Sequence, residues 1–212
     1  MSVGRLIAIA LGFGVLLAAD APNPVAYSND FEKAEVGKVP DEFMVLDGPF
    51  AVRQVDGNKC LELTGDPIGA FGALFGPAGV SGSEVSARIW ASPTGKRFPE
   101  FGIGANDAGG YKLMLLPGQN VVELRKGEEP LATAPFKWTP STWTRFKLHV
   151  STIANACAIQ GKVWKQGDTE PAKWMVIAND AKSPPPGRAS IWANDYSEKP
   201  VRFDDLTVKP LQ

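Results

Sequence analysis

The sequence predicts an all-β protein, an antiparallel sandwich or barrel, on three observations. Alternation of period two marks strands with one buried and one exposed face, and it is clearest between Trp143 and Trp174. There Phe146, Leu148 and Val150 oppose Arg145, Lys147 and His149. After a polar bend at Ser151–Asn155, Cys157, Ile159 and Val163 oppose Gln160, Lys162 and Trp164. No segment sustains a helical period, and 18 Pro and 22 Gly cut the chain into short runs. That spacing suits many short strands with turns between them.

Taken in order, residues 1–19 are expected to be a secretory signal peptide. Arg5 supplies the charged start and Leu6–Ala19 the apolar run, which is shorter than the ~20 residues that span a bilayer. Residues 20–26 form a linker, and residues 27–212 one domain. Tyr27–Glu32 reads as a short strand. Phe50–Val55 and Lys59–Thr64 flank the hairpin turn Asp56-Gly57-Asn58. Asp66–Gly79 is rich in Gly and Phe without a period, so a loop packed on the sandwich rim is expected. In Glu84–Trp90 the residues Val85, Ala87 and Ile89 point in, and Glu84, Ser86, Arg88 and Trp90 point out. Phe101–Ala105 is a small-residue strand, and Tyr111–Leu116 joins Val121–Lys126 through a turn at Pro117–Asn120. Glu128–Pro140, broken by proline, reads as a connection. Trp174–Ile177 adds a third strand to the central hairpin. The proline run at 184–186 admits no ladder, and Arg188–Ala193 and Val201–Val208 finish the fold.

With 22 cationic and 23 anionic side chains the formal net charge is -1. That balance gives no electrostatic footprint for nucleic acid or anionic lipid, so no nucleic-acid partner is expected, and no membrane partner once the leader is removed. Cys60 shares the parity of Glu62, and Cys157 that of Ile159. The two could pair outside the cytosol, but this parity argues against it, since thiols on different layers do not reach the short separation a disulfide requires.

Several segments together resemble the concanavalin A-like lectin/glucanase superfamily in its bacterial laminin-G-like, jelly-roll form. They are Tyr111-Lys112-Leu113, Trp143–Leu148, Gly161–Trp164, Glu170–Trp174, Pro186-Gly187-Arg188 and Phe203-Asp204-Asp205, spread over residues 27–210. The resemblance implies a two-sheet antiparallel β-sandwich, often with a sugar-binding face. It also implies a candidate calcium site, since Asn29–Glu32 and Asp204-Asp205 are similar to the paired terminal segments that hold structural calcium in jelly-roll sugar-binding modules. Glu32, Asp204 and Asp205 would be the oxygen ligands; two solvated acidic strand ends are the alternative.

The chemistry available is limited. The superfamily's hydrolases carry Glu-x-Asp-x-Glu, which places two carboxylates on one strand face, and no such run occurs here. A lyase needs a base, an acid and a group that neutralises a uronate. Tyr111, Gln119, Arg145 and His149 are the ingredients, yet the place of the jelly-roll lyases' Gln-x-His reads Gly102-Ile103-Gly104. With His149 the only histidine, no histidine cluster for zinc exists, and there is no Gly-x-Ser-x-Gly elbow. Trp90, Trp164 and Trp192 each fall on the parity opposite their strand's apolar set. Exposed rings stack on the CH faces of sugars, so these three, with Arg88 beside Trp90, are the expected carbohydrate platform. A loop laid over the rings is the alternative, and residues 66–79 are available for it. The function expected is a secreted or periplasmic carbohydrate-binding module without catalytic residues. The alternatives are a polysaccharide hydrolase or lyase with another arrangement, or a structural module of the cell envelope.

Overall fold

The computed structural model describes residues 27–65, 69–80, 82–153 and 156–211. The signal peptide and linker expected at residues 1–26 lie outside them. In chain order the strands are β1 (Tyr27–Asn29), β2 (Met44–Asp47), β3 (Phe50–Val55), β4 (Asn58–Leu63), β5 (Ala70–Val80), β6 (Ser83–Trp90), β7 (Glu100–Ala105) and β8 (Tyr111–Leu116). They continue with β9 (Val121–Lys126), β10 (Glu129–Pro135), β11 (Trp143–Ile153), β12 (Ala156–Lys165), β13 (Val176–Asp180), β14 (Gly187–Asn194) and β15 (Val201–Pro210). The described residues contain no helix.

Two antiparallel sheets form a sandwich. The first has the order β13-β12-β11-β6-β15-β4-β3, with β1 also on β15; the second has the order β10-β9-β8-β7-β14-β5-β2. The alternation read in the sequence sets which residues face inward. Val85, Ala87 and Ile89 of β6 and Phe146, Leu148 and Val150 of β11 are buried in the core. They face Phe101 and Ile103 of β7 and Leu113 and Leu115 of β8, also buried. The Phe101 and Phe146 rings meet edge to face, with centroids 5.8 Å apart, the geometry favoured by the ring quadrupole.

Four segments depart from the expectation. Within residues 66–79, expected as loop, the chain from Ala70 forms β5, a long strand of the second sheet that runs to Val80. Phe71, Ala73 and Phe75 are buried, but the outward positions between them hold Gly72 and the apolar Leu74, so no polar beat reveals the strand. Residues 129–135, expected as connection, form β10 on the sheet edge, where a proline costs no ladder bond. The strand β2 was not foreseen, and the third strand of the central hairpin begins later, at Val176.

Cys60 and Cys157 are both free and buried. They lie on β4 and β12 of one sheet, four strand spacings apart, roughly 19 Å at ~4.8 Å per spacing.

Candidate groove on the outer face of the first sheet

The outer face of the first sheet carries two adjacent rows of side chains. In one, Trp143 of β11 pairs with Trp90 of β6, Trp90 with Arg202 of β15, and Arg202 with Glu62 of β4. In the next, Trp164 of β12 pairs with Arg145 of β11, Arg145 with Arg88 of β6, and Arg88 with Asp204 of β15. The rows exist because each strand alternates and the apolar set goes to the core.

The strand β15 then breaks its alternation. Asp204 pairs with Arg88 and Thr207 with Ser86, so Asp205 and Leu206 together oppose the single residue Ala87. This is a β-bulge, a device that re-aims side chains. Asp205 sits at φ 51°, in the left-handed region that a residue with a Cβ enters at a cost. The bulge brings two consecutive carboxylates to one guanidinium. Arg88 Nη2 donates to Asp204 Oδ2 at 2.6 Å and to Asn58 Oδ1 at 2.9 Å, and its Nε lies 3.3 Å from Asp205 Oδ2. Arg145 Nη2 donates to Asp205 Oδ2 at 3.1 Å, and its Nε to Gln166 Oε1 at 2.6 Å. Asn58 Nδ2 and the Asp205 amide donate to Asp204 at 2.8 and 2.7 Å.

Asp204 is fully buried. Burial pushes its carboxyl above the ordinary aspartate range, against the pull of Asn58, the Asp205 amide and Arg88. In the neighbouring row Arg202 Nε donates to Glu62 Oε2 at 2.8 Å. Its guanidinium lies over the Trp90 ring at 4.4 Å, and that of Arg88 over the Trp143 ring at 4.6 Å, both within the range of a cation–π contact. Asn58, Cys60, Arg88, Trp90, Trp143 and Arg202 line a groove of about 310 Å³. The Cys60 thiol at its floor is pushed up to about 12 by burial, so it stays protonated and unreactive at neutral pH.

The structure therefore brings together Arg88, Trp90, Asp204 and Asp205, expected for two different purposes. The remaining expected residues lie elsewhere. Trp164 lies next to Arg145 but is 8% exposed, beside Asp168, Thr169 and Pro171 of the connection after β12. That connection is tied down through Glu170, 2.7 Å from both Lys147 and Lys162. A loop does cover one ring, though not the loop expected. Trp192 lies on β14, in the second sheet, so the three tryptophans do not share a face. Its ring rests against Gly72 and Gly104, where a Cβ would come within 2.7 Å and 3.2 Å of it. The Lys112 ammonium stands 3.7 Å over the ring.

The residues do not fit the calcium site. Glu32 accepts the Lys59 amide at 2.9 Å, and guanidinium groups occupy Asp204 and Asp205. No group of three or more His, Cys, Asp or Glu among the described residues is arranged to hold a metal. The lyase ingredients stay apart as well. Tyr111 is buried in the sandwich and donates to Asp180 at 2.8 Å. His149 faces outward, its Nδ1 4.0 Å from Glu84 and its ring 5.5 Å from that of Trp174. Gln119 lies exposed in the turn after β8.

Sequence reasoning missed Trp143, Arg202, Asn58 and Glu62. Parity marks Trp143 and Arg202 as outward, but only the pairing of β15 with β6 places Arg202 over Trp90.

No family model matches this sequence, and no curated protein matches it. Solved structures do match the fold. A carbohydrate-binding module, CBM66 from Bacillus subtilis, is 12% identical over 79% of this chain and 95% of its own, with a TM-score of 0.56. The metal-free carbohydrate recognition domain of Emp46p is 10% identical over 89% of this chain and 98% of its own, with a TM-score of 0.59. The apo Crh5 transglycosylase is 13% identical over 90% of this chain and 87% of its own, with a TM-score of 0.55. At such low identity the likeness is one of architecture, and it joins the two-sheet topology in one conclusion: this chain has the concanavalin A-like jelly-roll fold.

Proposed function

We propose that this domain binds glycan in the groove on the outer face of its first sheet, without catalysing a reaction on it. The observation that carries the reading is the cross-strand pair Trp90–Trp143, with Arg202 and Arg88 against the two rings along one groove. Aromatic faces suit the CH faces of a pyranose. Guanidinium and amide groups suit its hydroxyls, and a few convergent polar groups beside apolar walls are the usual make-up of a ligand site. The fold is shared with proteins named as a carbohydrate-binding module and as carbohydrate recognition domains, which adds weight to the reading.

Two observations favour binding over chemistry. Asp204 and Asp205 are both engaged by guanidinium groups, which leaves Asp56 alone in the groove lining, short of the carboxylate pair that glycoside hydrolysis uses. Glu84 lies with His149, Lys147 and Lys209, outside the groove lining. In this reading binding needs no calcium, because Arg88 and Arg145 already neutralise Asp204 and Asp205. The apolar run at residues 6–19 supports export, so the glycan would be met outside the cytosol.

The test is titration of the protein, without its leader, against a panel of soluble polysaccharides, read by tryptophan fluorescence and affinity electrophoresis. Retention and quenching that disappear in Trp90→Ala or Trp143→Ala are expected. Folded protein that ignores the entire panel overturns the reading.

A further inference from the structure

The bulge in β15 is an unusual thing to find at the centre of a sheet. Here β15 runs between β6 on one side and β4 and β1 on the other. Both ladders keep their register on either side of the extra residue. Asp204 meets Arg88, Thr207 meets Ser86 and also Ser28 of β1, and Phe203 meets Leu61. The core is served by Phe203, Leu206 and Val208, all buried. Asp205 adds nothing to that set, since its side chain is 33% exposed. It also stands on left-handed backbone, φ 51°, in the bulge position where glycine is the usual occupant. What the aspartate does is reach two cations from two other strands, Arg88 at 3.3 Å and Arg145 at 3.1 Å.

A residue held on costly backbone that serves a surface site more than the core marks a functional requirement. We propose that Asp205 is the positioning and specificity-determining residue of the groove: it fixes Arg88 and Arg145, and its charge makes the site accept neutral, hydroxyl-bearing sugars in preference to acidic ones. This deepens the glycan reading and rests on it. The charge argument is a count over the groove and its two rows. Arg53, Arg88, Arg145 and Arg202 face Asp56, Glu62, Asp204 and Asp205, four cations against four anions. A uronate or sulfate entering the groove would find every guanidinium already matched by a carboxylate. A neutral sugar can instead use the carboxylate lone pairs and the unused guanidinium N–H groups together. Without the Asp205 charge the same set carries one surplus cation beside an aromatic groove, the combination that attracts a carboxylate.

The experiment compares the wild type with Asp205→Gly and Asp205→Asn by thermal melting and by retention on immobilised polymers. The neutral probes are laminarin, xylan and galactomannan; the acidic probes are polygalacturonate and alginate. The wild type is expected to be retained by a neutral polymer and by neither acidic one. Asp205→Gly relieves the backbone while removing the carboxylate, so its Tm should fall by no more than about 2 °C or should rise, with neutral binding at least tenfold weaker. Asp205→Asn should gain retention on the acidic polymers that 0.5 M salt abolishes, roughly the concentration at which the Debye length falls to about 4 Å. That preference is a readout no purely structural role would move.

Wild-type protein that prefers an acidic polymer overturns the charge inference and leaves the glycan reading standing. A large loss of Tm in Asp205→Gly makes the residue structural and overturns the positioning claim. If nothing is retained on any polymer the glycan reading itself fails, and the melting comparison alone then decides whether Asp205 is kept at the expense of the sheet.

Discussion

Asp180, in the first sheet, and Lys126, in the second, form an ion pair of 2.5 Å between Oδ2 and Nζ. The pair ties the edge region of one layer of the sandwich to the other. The same carboxylate accepts the buried Tyr111 hydroxyl at 2.8 Å and, through Oδ1, the Lys182 amide at 2.9 Å. Lys126 holds the Asp180 carboxyl below the ordinary aspartate range, helped by Lys182 and Tyr111.

A pH prediction follows from that sign. A depressed carboxyl stabilises the fold at pH values above its unfolded pKa, about 3.9 for aspartate, and the contribution is lost as pH falls through the folded value. Asp180→Asn should cost about 1–3 kcal/mol at pH 7, the scale of hydrogen bonds to a charged group. The penalty should begin to shrink below about pH 4, where the unfolded chain's carboxyl takes up its proton, and vanish once the folded carboxylate is protonated too. Urea unfolding at pH 7 and pH 3 measures both values; equal penalties at the two would contradict the assignment.

In the proposed function the tryptophans divide into binding and packing rings. Trp90→Ala and Trp143→Ala should weaken glycan binding by about 1–3 kcal/mol while changing stability little. Trp164→Ala should do the reverse, because that ring is 8% exposed. Isothermal titration beside thermal melting on the same three variants separates the two effects.

Gly72 and Gly104 form the floor beneath Trp192. A Cβ at Gly104 would lie 2.4 Å from Ser190 Oγ and 2.8 Å from the Tyr111 carbonyl oxygen, and one at Gly72 would lie 2.7 Å from the Trp192 ring. Either alanine must push the ring away or shift backbone, at a cost of about 1–3 kcal/mol. Gly104→Ala should lower Tm and move the Trp192 emission to longer wavelength. An unchanged melting curve would mean that Ser190 and the Tyr111 backbone give way without cost.

Chelation supplies the metal test. Because Arg88 and Arg145 engage Asp204 and Asp205, Tm should be the same in EDTA and in millimolar calcium. A ligand that binds the native state at a hundredfold excess over Kd raises stability by about 2.7 kcal/mol. A calcium-dependent rise of that order would restore the metal that the arginines are taken to replace.

Much of the architecture was legible because alternation directly sets burial. The strand Glu84–Trp90 was readable residue by residue; the central hairpin was readable in its strands, but not in its bend, because β11 runs on through Ser151 and Thr152 to Ile153 where the bend was expected. β5 was not: Gly72 and Leu74 occupy its outward positions, and neither supplies the polar beat that marks a strand. The groove was legible in its parts. Parity placed Arg88 and Trp90 outward, and Asp204-Asp205 stood out as an acidic pair. Calcium was the partner expected because sequence shows how many carboxylates are adjacent but not which cation faces them, and in the structure Arg88 and Arg145 do. Arg88 precedes Asp204 by more than a hundred positions, and only the insertion of β15 beside β6 joins them. Trp192 was misgrouped for the same reason. Parity separates in from out on each strand, but it does not say to which of two sheets a strand belongs.

The place of β15 also governs how the molecule can be made. Every other strand described precedes it in the chain, yet it lies inside the first sheet, with β6 on one flank and β4 and β1 on the other. Until residues 201–210 have left the ribosome, that sheet exists as two pieces with open inner edges, one ending at β6 and the other at β4, and β1 has no partner. Exposed strand edges recruit other chains, and pairings between distant parts of a chain form late. The nascent protein therefore passes through a stage in which its central seam is unpaired, and a chaperone that guards open strand edges would be needed most during that interval.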